Sequence, residues 1–141
     1  MKYAQSVEQI GFLILIMTIK NRREALTQLQ AEVDVVIIGG GQAALATAYF
    51  LKRKKIPFII LDDQSQAGGA WSHAWESLRL FSPNTWSSLS GWMMPTTEQT
   101  YPTRNEVIDY LSAYEQRYQF PIIRPVHVDH IEQKDGYLDV Y

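Results

Sequence analysis

No cysteine occurs among the 141 residues. A disulfide framework, a thiolate metal site, a cysteine nucleophile and a redox-active cysteine pair are therefore all excluded for this chain. The absence agrees with a reducing cytoplasm, which is the expected location. An excess of charge is lacking too: 13 basic and 15 acidic side chains leave a formal net charge of -2. The basic residues form no stripe of the kind that follows a phosphate backbone, so no nucleic-acid partner is expected. Long hydrophobic runs are also missing. The most apolar stretch, Ile10 to Ile19, is ten residues long, against about 20 for a membrane-crossing helix. It has no signal-peptide character either, since Lys2 is offset by Glu8 and no small-residue cleavage site follows.

Residues 1–32 are read as an N-terminal extension, with Lys20 to Glu32 patterned as a short amphipathic helix. Three roles stay open for it: a dispensable leader, a docking helix, or membrane attachment. Residues before about Gln30 are expected to be dispensable for the site described below, with Met17 as a candidate natural start, because the convincing fold begins only at Val33.

The remainder, 33–141, has the length and apolar content of a single domain with its own core. Val35-Val36-Ile37-Ile38 is a continuous β-branched run between Asp34 and Gly39, the pattern of a buried parallel strand. After Gly39-Gly40-Gly41, Gln42 to Lys55 reads as a helix. Its alanines allow close approach to a sheet, and Lys52 to Lys55 suit the negative end of its dipole. Phe58 to Leu61 forms a second strand, ending in Asp62-Asp63. Strand, turn, helix and strand make a βαβ unit. Ser65 to Pro102 is a long irregular tract that must be organised by short turns. Thr103 and Glu106 then form a capping-box pattern, opening a helix whose apolar face is Val107, Tyr110, Leu111 and Tyr114. A hairpin of Val126–Ile131 and Tyr137–Tyr141 is expected around Asp135-Gly136. The last strand runs to the final residue, which suggests a truncated domain.

The chemistry concentrates at the glycine turn. Gly39 permits a sharp exit from the first strand, and Gly41 has no side chain to keep a pyrophosphate from the backbone. The first helical turn, beginning at Gln42 and Ala43, would present unpaired N–H groups to phosphate. The third fingerprint position is Ala44, a departure of one methyl group that the pattern tolerates. Asp62 stands 23 residues after Gly39, placed to accept hydrogen bonds from an adenosine ribose, with Asp63 beside it. An acid there disfavours a 2′-phosphate and hence NADP. Gly69 lets a loop press its backbone against a planar ligand, and Trp71 can pack on the ligand's edge. Both Trp71 and the other tryptophans (Trp75, Trp86 and Trp92) could equally be core aromatics. Arg79 is a candidate for either a phosphate or a surface carboxylate. His127 and His130, three apart on the expected strand, would point to opposite faces and share no metal ligand. No metal site is expected.

Gly39-Gly40-Gly41-Gln42-Ala43-Ala44-Leu45-Ala46, then Asp62, then Gly68-Gly69-Ala70-Trp71, resembles the opening of the flavin-containing monooxygenase-like oxidoreductases. Ser77 to Pro83, Tyr101 to Arg104 and Tyr110-Leu111 are similar to that family as well, so the resemblance covers Val33 to Tyr141. It implies a three-layer α/β fold, a Rossmann-like FAD-binding domain, with the Gly-Gly-x-Trp segment near the flavin and the strand after Val126 beside the adenine. It also implies that a complete enzyme would add an NADPH-binding domain and transfer oxygen to a small nucleophilic substrate. These 141 residues hold no second glycine-turn unit, so NADPH is expected only for such a complete enzyme. Self-association or pairing with a C-terminal half are the expected protein contacts. The alternatives are a non-catalytic FAD-binding fragment of an interrupted gene, or an NAD-dependent dehydrogenase, for which no Tyr-x-x-x-Lys pattern or His–Asp arrangement is found. No catalytic residue is assigned.

Overall fold

The computed structural model describes residues 33–96 and 99–141; the expectations for residues 1–32 lie outside them. The βαβ unit forms where the pattern places it. Strand β1 (Val35–Ile38) and strand β2 (Phe58–Leu61) pair in parallel, in register from Val35 opposite Phe58 to Ile38 opposite Leu61. Helix α1 (Gln42–Arg53) connects them and buries Leu45 together with Ala44 and Ala48, whose small side chains let it lie close. It stops two residues short of Lys55, which takes a left-handed conformation (φ 57°) and donates its N–H to the Lys52 carbonyl. Lys52 does more than suit its own helix dipole. Its ammonium group donates to the carbonyl oxygens of Tyr118 and Gln119, where the second long helix ends.

A third parallel strand, β3 (Ile122–Ile123), pairs with β2 and gives the order β1-β2-β3. Two residues carry no readable periodicity, and this strand went unexpected. The hairpin forms around the expected turn, but its first strand is displaced: β4 (Ile131–Lys134) shares only Ile131 with the expected strand and pairs antiparallel with β5 (Tyr137–Val140) around Gly136 at φ 94°. Val126 to His130 lie outside both strands: Val126 donates its N–H to the Asp62 carbonyl (2.8 Å) at the end of β2, while Asp129 and His130 bond to the Tyr141 backbone at the open end of the hairpin. The opposite-faces argument for His127 and His130 therefore loses its premise. His130 instead stacks on Tyr141 and contacts Asp129.

The irregular tract is organised by a 3-10 turn (Gly69–His73), a one-turn helix α2 (Asn84–Ser87) and an antiparallel bridge from Arg79 to Thr103. Helix α3 (Arg104–Tyr118) begins with the full capping box: Glu106 N–H donates to the Thr103 hydroxyl, and Thr103 N–H to the Glu106 carboxylate. Its face of Val107, Tyr110, Leu111 and Tyr114 meets Leu45 and Ala48 of α1, Ile60 of β2, and Leu89 and Met94 of the tract. Together these elements make the three-layer α/β, Rossmann-like fold. Trp92 stacks into this core against Tyr110 and Tyr114, whereas Trp75 and Trp86 are exposed. No helix among the described residues is long and apolar enough to cross a membrane.

The buried phenols are satisfied by the tract that covers them. Tyr110 donates to the Trp92 carbonyl and accepts from Leu89 N–H, and Tyr114 donates to the Ser90 carbonyl. Burial first, then the neighbouring tyrosines, raises Tyr114 above its ordinary value of 10.0; burial likewise raises Tyr110, partly offset by the Leu89 N–H. Above pH 10 the unfolded chain therefore loses phenolic protons that the folded chain keeps, and stability falls as pH rises. Urea unfolding followed from pH 8 upward should show a midpoint that is steady to about pH 10 and declines beyond it. Tyr114→Phe should flatten the decline, and an unchanged alkaline slope would contradict this account.

Candidate cofactor-binding site

The glycine turn uses its three glycines for three different reasons. Gly39 takes φ 91°, a left-handed conformation, and donates its N–H to the Leu61 carbonyl at 2.7 Å, closing the ends of β1 and β2. Gly40 is buried, and a methyl group there would collide with the Asp62 carboxylate and the Arg124 guanidinium. Gly41 caps α1 in extended geometry with no side-chain hydrogen bond to the helix start, and no acidic residue sits in the first turn. A methyl group on Gly41 would meet no described atom within 4 Å. The space is open, and it lies against the N–H groups and positive dipole end of α1, where exposed Gln42 and Ala43 begin the helix. An anionic pyrophosphate fits this cradle by shape and by charge.

Gly69 belongs to the same cradle. It takes φ 52°, and a methyl group built on it would stand 2.7 Å from the Gly41 α-carbon. The Gly68-Gly69 loop therefore presses its backbone on the glycine turn itself, whereas a planar ligand was the expected neighbour. Trp71 follows on the 3-10 turn, half-buried and packed against the core. Arg104 holds that turn in place: its Nε donates to the Trp71 carbonyl at 2.9 Å and its Nη2 to the Ser72 carbonyl at 2.6 Å. Arg79 is exposed, with its guanidinium on the Tyr101 carbonyl, and is not drawn into the cradle by any described contact.

At the end of β2 the two acids part company. Asp63 is exposed and accepts from the Gln64 amide, whose oxygen meets His73 Nε2. A carboxylate can only accept, so the amide must donate to Asp63 and accept from His73, which places a proton on His73 Nε2. Asp62 is 2% exposed and paired with Arg124, whose Nε donates to Oδ2 at 2.5 Å. The two terminal nitrogens of Arg124 donate to both oxygens of Glu115 at 2.7 Å each. Burial opposes the Arg124 charge, but the hydrogen bonds to Glu115 and Asp62 outweigh it and push the guanidinium above its ordinary range. Val126 lies at the same place through its bond to the Asp62 carbonyl. Gly40, Arg124, Glu115 and Arg104 were not singled out as site residues in the sequence. The one local signal was a charged residue between the apolar dipeptide Ile122-Ile123 and Pro125.

A parallel sheet whose first turn opens on an uncapped helix start is the architecture of a dinucleotide-binding domain. Residues 36–141 match the pyridine nucleotide-disulphide oxidoreductase family, and the chain belongs to it, as an FAD-binding oxidoreductase domain of the flavin monooxygenase type. It is 37% identical over 107 residues to an uncharacterized CzcO-like oxidoreductase of Geobacillus kaustophilus, covering 76% of this chain and 31% of that protein. To a probable indole-3-pyruvate monooxygenase of Arabidopsis thaliana it is 32% identical over 85 residues, 60% of this chain and 20% of the other. The solved flavin-containing monooxygenase from Stenotrophomonas maltophilia is 50% identical with a TM-score of 0.75, over 77% of this chain and 33% of that one. The chain thus spans about a third of the length of these relatives or less. It carries no cysteine for the disulfide chemistry in the family's description.

Gly40 gives a test of this geometry. Gly40→Ala should destabilise the domain by about 1–3 kcal/mol through overpacking, and by more if the Asp62–Arg124 pair is forced apart. Chemical denaturation of both proteins measures it, and equal stability would show that the turn has room this structure denies it.

Proposed function

We propose that this chain grips the adenosine diphosphate part of FAD at the Gly39–Gly41 turn. We further infer that, with an NADPH-binding part, it serves a monooxygenase that transfers one oxygen atom of O₂ to a small nucleophilic substrate. The observation that carries the reading is the open space at Gly41 against the uncapped start of α1. The half-identical flavin-containing monooxygenase supports it. The residues fit the group. The N–H groups at Gln42 and Ala43 would face the pyrophosphate, Asp62 the ribose, and Gly69 with Trp71 the flavin end. Bound FAD supplies the two-electron redox chemistry and the reaction with O₂, which no side chain of this protein can perform. The chain's own part is to hold, orient and shield: Arg104 fixes the Trp71 turn, and Gly69 closes it onto the glycine turn.

Gly41→Ala separates binding from folding, because the added methyl group touches no described protein atom and φ is an ordinary -84°. The variant should unfold at the wild-type denaturant concentration yet bind FAD about tenfold more weakly or worse, roughly 1.4 kcal/mol. Visible absorbance of the bound flavin and identification of the released cofactor provide the readout. Released FMN, or undiminished FAD binding by Gly41→Ala, would overturn the assignment.

Reduction of the flavin needs a nicotinamide held over its ring, and these residues hold one glycine turn of this kind. Stopped-flow mixing of the FAD-loaded 141-residue chain with NADPH should show only slow, unsaturable bleaching. Fast and saturable reduction would place a nicotinamide site within this chain.

A further inference from the structure

We propose that Arg124 is the positioning residue of the adenosine end of the site, holding Asp62 so that a single carboxylate oxygen, Oδ1, is presented to a ribose hydroxyl. The proposal rests on the FAD reading above and deepens it, because it says what makes that acid selective. Oδ2 of Asp62 is fully engaged, with Arg124 Nε on it and the Gly40 backbone packed alongside. Oδ1 has no protein partner among the described residues, yet no buried side-chain oxygen there is left unsatisfied. Oδ1 is therefore the atom through which the otherwise buried Asp62 reaches the surface.

The other end of the guanidinium is equally constrained. Both terminal nitrogens lie on Glu115 of α3, so Arg124 cannot swing toward a phosphate without leaving a carboxylate buried and unpaired. The fork is planar and its three bonds fix its orientation, which a lysine ammonium could not reproduce. Gly40 completes the device, since any side chain there would occupy the position of the Asp62–Arg124 contact. Two carboxylates and one guanidinium carry a net charge of -1. The group offers one acceptor to a hydroxyl donor and repels a phosphate. The ligand class it selects is an adenosine diphosphate with a free ribose hydroxyl, as against its 2′-phosphorylated form.

The test compares ratios of affinity, which a purely structural role would leave alone. Binding of ADP, 2′-deoxy-ADP and 2′-phospho-ADP is measured by calorimetry for the wild type, Arg124→Lys, Arg124→Met and Glu115→Gln, with folding checked by circular dichroism. In the wild type, ADP should bind about tenfold more tightly than its 2′-deoxy form, the worth of a hydrogen bond to a charged acceptor, and more tightly still than the 2′-phosphate. In Arg124→Lys the ratio of ADP to 2′-deoxy-ADP should fall toward one, and in Glu115→Gln it should fall part of the way. Arg124→Met should lose the ratio if it folds; if it does not, Arg124→Lys and Glu115→Gln decide. Variants that bind all three ligands more weakly but keep the wild-type ratio would overturn the positioning role and leave the FAD reading intact. A folded wild type that binds neither ADP nor FAD would overturn both. A wild type that binds ADP and its 2′-deoxy form equally would remove the ribose hydroxyl from the account.

Discussion

One guanidinium joins the parts of this domain that matter most. Arg124, just past β3, takes Asp62 at the end of β2 and Glu115 on α3, beside the buried α-carbon of Gly40. Three other stretches of chain, at Gly40, Asp62 and Glu115, meet at this one side chain. Desolvating three charges is costly, and such a group persists only when each charge has its partners. Here three charge-assisted hydrogen bonds satisfy the guanidinium, two of them as a fork on the Glu115 carboxylate. The strand ends, the turn between β1 and α1, and the later half of α3 consequently keep a fixed relation, and the cradle for a dinucleotide is built on that relation.

The glycine turn shows how a short motif can conceal separate requirements. A pattern of glycine, any residue, glycine treats the central position as free, yet the structure makes it the most crowded of the three. Gly39 answers to backbone conformation, Gly40 to neighbouring side chains, and Gly41 to space beside the helix start. Only the last leaves room for a ligand. Substitutions across the triplet therefore report on different physics, and their effects on stability and on binding need not run in parallel.

What the sequence disclosed follows the range of the interactions. The β1–α1–β2 unit and the capping box of α3 are local, fixed by β-branched runs, alanine spacing and one reciprocal pair, so they were legible. Asp62 was legible as a strand-end acid. Its pairing with Arg124 was not, because 62 positions separate them and no periodicity encodes such a contact. Strand β3 escaped for a different reason: two isoleucines are a strand only because β2 lies beside them. The hairpin was found from its Asp135-Gly136 turn but its first strand was placed too early, since the sequence near Val126 cannot reveal that its N–H is already committed to Asp62, while the fully exposed Ile131–Lys134 strand has no buried face to mark it. Trp92 and Trp86 look alike in the sequence, and only packing makes one a core ring and leaves the other at the surface.

The contact between Gly69 and Gly41 bears on the thermodynamics of loading. Two loops that close on an incoming molecule must surrender their freedom as it binds, and that ordering opposes affinity. Here the loop before Trp71 already rests on the glycine turn and is fastened by Arg104. These contacts are made within the protein itself, so the conformational entropy of bringing the two loops together is lost during folding.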